Sequence, residues 1–326
     1  MPIRISLFVC LLLLLGACAK REGGLYLVLE NRQYGYMDRT GKIIIAPQYD
    51  AAMQFSEGLA VVGQKTAFGV INESGSTVAS IQYADIRPFS EGLAVARIGK
   101  TFGYLDREGA LAIRAEFRNA MRFSEGLAAI ETMDSGKWGF IDKNGRKAIA
   151  PQYDYASRFS QGRAMVVVNG KCGFIDKTGA LVIAPQFDDA RDFSDSLCAA
   201  KRGNRWGYVN FAAKPVIDFV FENALSFREG LAAAQDTASR RWGFIDKSGR
   251  FVIPPQFESV LESFNGGYAS VRLNGKYGAI DASGRWIVEP KYDFVGKFVD
   301  GLAQVMLEGA IGYVDVNGRE VRAPTE

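Results

Sequence analysis

Nine times, at near-constant spacing, the chain places a bulky residue before a glycine and then runs through Ile/Val-Asp into a turn. The pairs start at Tyr34, Phe68, Phe102, Trp138, Cys172, Trp206, Trp242, Tyr277 and Ile311, so successive steps are 34, 34, 36, 34, 34, 36, 35 and 34 residues. A fixed period of this size defines a repeat architecture, in which each unit buries its apolar face only against its neighbours. Such an array offers a surface more readily than a single catalytic cleft.

The fullest unit runs from Lys137 to Gly162. Trp138 and Phe140 are two apart and share one face of a strand. Gly139 points the other way, where a bare Cα lets another backbone approach. Asp142 to Gly145 is a turn, with Asp and Asn bonding their own backbone and glycine at positive φ. An Ile/Val strand ending in Pro-Gln-Tyr follows, and its proline suits a strand end or an edge. The Leu-Ala-x-Val stretch is a third strand. The pattern predicts an all-β tandem array of nine three-stranded repeats, the last truncated after Val321, forming an elongated, curved solenoid-like body. The alternative is a closed β-propeller, whose blades usually carry four strands in 40 or more residues.

The two-residue insertions fall between Leu127 and Trp138 and between Leu231 and Trp242. Insertions belong in exposed loops, so 131–137 and 235–241 are predicted to be lengthened hairpin tips on one side of the array. The register places the start of the array at Leu25 and its end at Pro324, with no linker.

The aromatic-Gly-aromatic-Ile-Asp-x-x-Gly, Pro-x-Tyr/Phe-Asp and Phe-x-Glu-Gly-Leu-Ala elements resemble the WG-repeat family of bacterial proteins across residues 25–324. Departures are Cys172 and Ile311 at the aromatic position, Ser196 for the usual glycine, and missing prolines in repeats two, three and six. The resemblance implies an all-β repeat array and brings no catalytic motif with it.

The N-terminus reads as a targeting segment. Arg4 precedes the apolar Leu7–Leu15 stretch, and Leu15-Gly16-Ala17-Cys18 closes it, the layout of a signal peptide. Cysteine in that position resembles the lipobox of bacterial lipoproteins, which implies a signal peptide over 1–17, an acylated (palmitate-bearing) Cys18, a tether over 18–24 and the repeat array over 25–326. The lipid bilayer is then the first partner. Ala19 after the cysteine points to the outer membrane facing the periplasm where the host has two membranes. Residues 19–24 span roughly 20 Å at full extension, so the array starts close to the lipid surface.

Losing Arg4 leaves 38 basic against 36 acidic side chains, a balance that argues against a nucleic-acid binder. Cys172 and Cys198 remain in a compartment that permits a disulfide; both replace core residues, so two buried free thiols are the other reading.

With no histidine in the chain, the Ser-His-Asp and Cys-His systems and the commonest transition-metal ligand are excluded. A carboxylate pair of the glycosidase kind is the enzymatic option left. Yet Asp38, Asp106, Asp142, Glu57, Glu91 and Glu125 recur from repeat to repeat, as turn formers do and a unique catalytic pair does not. Glu57, Glu91, Glu125 and Glu229 precede glycine and are expected to cap turns; one acid per repeat is too sparse for calcium. No cofactor is expected. Lys137, Lys171, Arg205, Arg241 and Lys276 occupy one slot, just before the aromatic, in five consecutive repeats. A row of fixed cations suits an acidic partner or anionic polymer, while edge protection alone would select cations at this slot. The expected function is a membrane-anchored cell-envelope lipoprotein, a binding scaffold for a protein or envelope polymer and not an enzyme. The alternatives are an envelope hydrolase and a passive spacer.

Overall fold

A computed structural model describes residues 24–261 and 263–324. It contains nine small antiparallel sheets, one three-stranded and eight four-stranded, each running in chain order across the sheet. The first strand of each four-stranded sheet is the one the sequence pattern did not disclose. In the fourth sheet it is only Asn119–Ala120, followed by Leu127–Glu131, Trp138–Asp142 and Lys147–Tyr153. Elsewhere it extends to six residues, as in Tyr155–Ser160 and Phe294–Val299.

Each sheet is a propeller blade, and the ring closes. The ninth blade (Phe294 to Arg322) packs on the first (Tyr26 to Tyr49). Tyr26 meets Tyr313 edge-on at 5.6 Å between ring centroids. Arg322 reaches Glu30 at 2.6 Å, and Tyr26, Met37, Leu302, Ile311 and Tyr313 form one buried cluster. The elongated solenoid is therefore corrected to a nine-bladed β-propeller, and three strands per repeat to four per blade. The last blade is not truncated: its outer strand is Glu320–Arg322. The first blade has three strands among the described residues. Each aromatic-to-aromatic repeat supplies the two outer strands of one blade and the two inner strands of the next, so the covalent repeat itself links neighbouring blades.

The glycine of the repeat is set by the outer strand. A Cβ on Gly139 would lie 2.6 Å from Ile149 O and 2.7 Å from Pro151 N, where the register between Trp138–Asp142 and the outer strand shifts. Only glycine admits backbone that close. Trp138, Phe140, Tyr153 and Phe159 share one buried cluster; across the ring such clusters lie blade against blade, each taking residues from two neighbours.

Candidate functional site

Antiparallel strands divide the ring's loops between two faces. The turns joining first to second and third to fourth strands lie on one face. The turns joining second to third strands, and the connections between blades, lie on the other.

On the first face the Glu-Gly turns do more than close their own hairpins. Glu57 accepts hydrogen bonds from the Glu91 and Gly92 amides at 2.7 and 2.9 Å. Glu91 accepts from Gly126, Glu125 from Gly162, and Glu229 from Gly266 and Gly267. Each acid thus caps the turn of the following blade, not its own. Cations of that blade join it: Arg107 on Glu57, Lys143 on Glu91, Lys177 on Glu125. Partial burial pushes the Glu91 carboxyl up, but the Lys143 ammonium and the Gly126 amide outweigh it and hold the group below the usual carboxylate range. The acids adopt left-handed backbone, with φ of 55° at Glu57, Glu91 and Glu125, a conformation costing an L-residue roughly 1–2 kcal/mol. Beside the centre, Ser56, Ser90, Ser124 and Ser160 donate to the carbonyls of Phe89, Phe123, Phe159 and Phe193 at 2.7–2.8 Å.

The opposite face carries the predicted cationic row, brought to one rim together with the long turns following Glu131 and Gln235. Every cation of the row has a carboxylate partner 17 residues on. Lys137 meets Asp154 and Arg205 meets Glu222 at 2.5 Å; Lys171 meets Asp188 and Lys276 meets Asp293 at 2.6 Å; Arg241 meets Glu258 at 3.5 Å. The rim is therefore a row of ion pairs, with side chains of the cations 42–49 % exposed. The Lys137, Lys171 and Lys276 ammoniums hold the carboxyls of Asp154, Asp188 and Asp293 below their ordinary range, aided by a backbone amide in each case. Sequence reasoning missed the acids, although the Asp of Pro-Gln-Tyr-Asp repeats with the same period and was there to be paired.

Turn acids such as Asp142 accept the amides of Asn144 and Arg146 at 2.9 Å each, which is the turn-forming role expected of them. Cys172 and Cys198 are buried, unbridged thiols, both pushed up chiefly by burial. Among the described residues no group of three or more Cys, Asp or Glu is arranged to hold a metal. Nor is any helix there long and apolar enough to cross a membrane. Cys18 and the segment 1–17 lie outside the described residues. The chain enters the ring beside the Asp300–Gly301 turn, where a Cβ on Gly24 would come within 3.5 Å of Asp300 Oδ2.

The geometry defines a repeat propeller, a ring whose faces and centre differ in chemistry. The chain belongs to the WG containing repeat family, whose pattern matches residues 34–65, 68–101, 102–134, 138–172, 173–206, 206–236, 242–277 and 277–309. The comparison with curated proteins gives no match. Among solved structures the chain is similar to a eukaryotic initiation factor, with 12% identity, TM-score 0.66, and coverage of 92% of this chain and 95% of the other. It is also similar to the dihydro-heme d1 dehydrogenase NirN, with 15% identity, TM-score 0.52, and coverage of 93% and 74%. At these identities the likeness concerns the fold alone.

Proposed function

We propose that this protein is a lipid-anchored binding module of the cell envelope, held to the membrane through acylated Cys18, and that a protein or envelope polymer docks on the rim carrying Lys137, Lys171, Arg205, Arg241 and Lys276. The observation that carries the reading is the sidedness of the ring. Residue 24 enters at the face of the Glu-Gly turns, and a tether of about 20 Å keeps that face next to the lipid. The ion-paired rim and the two long turns then face away from it. Exposed ion pairs are weak because water screens them and ordering two long side chains costs entropy, so a partner's acid can replace Asp154 or Asp188 beside its lysine at little cost. A binding role fits better than a hydrolase because the recurrent carboxylates are engaged by backbone amides or cations that hold the ring together.

Two measurements test it. Cys18→Ser should move the chain from the membrane fraction to a soluble or unprocessed form; unchanged fractionation would remove the anchor. For the rim, all five cations are replaced by Gln and crosslinked partners are recovered from intact cells. A parallel variant replaces Arg107, Lys143 and Lys177 on the other face. The rim variant should lose the partners and the other should keep them; the reverse pattern assigns docking to the membrane-side face.

A further inference from the structure

The centre of the ring carries a second charge pattern, independent of the rim and of the anchor. One position on the inner wall, directly before the phenylalanine that precedes the first hairpin turn of each blade, changes character from blade to blade. It is Gln54 in blade 2, Pro88 in blade 3, Asp192 in blade 6, Ser226 in blade 7, Ser263 in blade 8 and Lys297 in blade 9, but arginine in the adjacent blades 4 and 5, Arg122 and Arg158. A residue that holds the ring together recurs with the repeat, as the turn acids do. This pair does not.

Arg122 and Arg158 line the same cleft of about 370 Å³, together with Arg87, Met121 and two serines, and no carboxylate is among its lining residues. A second cleft of about 460 Å³ continues from it across blades 5 to 7 and shares Met121 and Arg158. Arg87 is engaged structurally: it donates to Ala120 O at 2.8 Å, pairs with Asp85 at 3.9 Å and lies over the Phe102 ring. Arg158 is held from one side only, Nε donating to Asp192 Oδ2 at 3.0 Å, while Asp192 is steadied by Ser226 donating to its carbonyl. That contact orients the guanidinium and leaves its two Nη groups without a hydrogen-bond partner among the described residues. Arg122 is exposed and makes no ion pair or hydrogen bond with the described residues. Asp192 and Asp85 offset the charges of Arg158 and Arg87, so Arg122 supplies the net positive charge on this concave wall, where fixed charge raises the local potential and concentrates anions. Guanidinium forks match the planar and tetrahedral oxyanions of carboxylates and phosphates. The clefts have the size of small-molecule sites, and Met121, Tyr155 and Met165 give them an apolar floor.

We propose that the inner wall of blades 4 and 5 binds a small oligoanionic ligand, its carboxylate or phosphate groups bridging Arg122 and Arg158 and its frame resting on Met121 and Tyr155. The test titrates the full chain calorimetrically with pyrophosphate, citrate, acetate and long-chain polyphosphate. Pyrophosphate or citrate, or both, should bind at least tenfold more tightly than acetate, and which of the two is preferred separates a phosphate ligand from a carboxylate one. Arg122→Gln and Arg158→Gln should each weaken that binding about tenfold or more, Arg122→Lys less, and Lys137→Gln on the rim not at all. Unchanged circular dichroism in the variants guards against misfolding, and because Arg122 is exposed its variant is the decisive one. Absence of saturable binding of either small probe up to ~10 mM, binding confined to the long polymer, or unchanged affinity in Arg122→Gln would each overturn the proposal.

Discussion

At the scale of single residues, contacts to backbone decide more than side-chain chemistry does. Gly139 faces Ile149 O and Pro151 N, atoms that cannot move without shifting the outer strand. Gly139→Ala should therefore destabilise by about 1–3 kcal/mol, the range for forced overpacking, although alanine is otherwise a mild change. A urea melt followed by tryptophan fluorescence reads it, and an unaltered midpoint would mean the outer strand is free to retreat. The rim carboxylates act through charge instead. Asp154, Asp188 and Asp293 are depressed below the ordinary aspartate value by their lysines. A depressed folded-state value adds stability that is complete above the unfolded value of about 3.9 and is lost as pH falls through the folded one. Thermal stability should hold from neutrality down to about pH 4 and decline below it. Replacing Lys137, Lys171 and Lys276 by Gln should flatten that acid limb; an equal acid limb in the triple variant would assign it to other carboxylates.

At the scale of elements, the latch between blades combines a favourable bond with an unfavourable backbone, and the two separate by mutation. Glu91 stands at φ 55° and holds the Gly126 amide at 3.0 Å. Glu91→Ala loses the carboxylate and keeps the strained conformation; Glu91→Gly loses the carboxylate but relieves the strain. Alanine should therefore be the more damaging by about 1 kcal/mol, an inversion of the usual order. Chemical denaturation of the two variants decides it, since alanine proving equal to or better than glycine would show that the left-handed backbone carries no cost here. The same elements explain what the sequence disclosed. Second, third and outer strands were legible because Leu-Ala-x-Val, aromatic-Gly-aromatic and Ile-x-Pro-Gln-Tyr carry strand composition and turn residues at fixed offsets. The innermost strand was not, because a pair such as Asn119–Ala120 has neither length nor alternation; it is a strand only because Ala120 pairs with Ile130 and Asn119 with Glu131. Missing that strand made a three-stranded unit look too small for a propeller blade. Gly139 and the turn role of Asp142 were legible from local chemistry. The rim pairs and the reach of Glu57 into the next blade were not, since both depend on which loops meet across the ring.

At the scale of the molecule, closure distinguishes this ring from a stack. Eight blade junctions are crossed by the chain, each by a short connection such as Asp154 or Asp188. Among the described residues the ninth, between Phe294–Arg322 and Tyr26–Tyr49, is bridged by side chains and packing, Tyr26 on Tyr313 and Arg322 on Glu30, while Gln54 of blade 2 donates to the Tyr313 hydroxyl at 3.3 Å. No sheet among the described residues is shared across it. In a nearest-neighbour array the least supported interface opens first. Tyr313 and Tyr208 hold equivalent third-strand positions, and each is fully buried. Tyr208 bonds Leu225 O in the chain-linked seventh blade, whereas Tyr313 closes the seam. Truncating either to Ala should cost on the order of 3–5 kcal/mol locally, but the consequences should differ. Tyr313→Ala should raise hydrogen exchange in Tyr26–Glu30 and Ala310–Asp315 while blades 4 to 7 stay protected. Tyr208→Ala should loosen blades 6 and 7 and leave the seam closed. If Tyr313→Ala instead raised exchange equally in all nine blades, the ring would be a single cooperative unit, and the seam would be no weaker than the junctions the chain crosses.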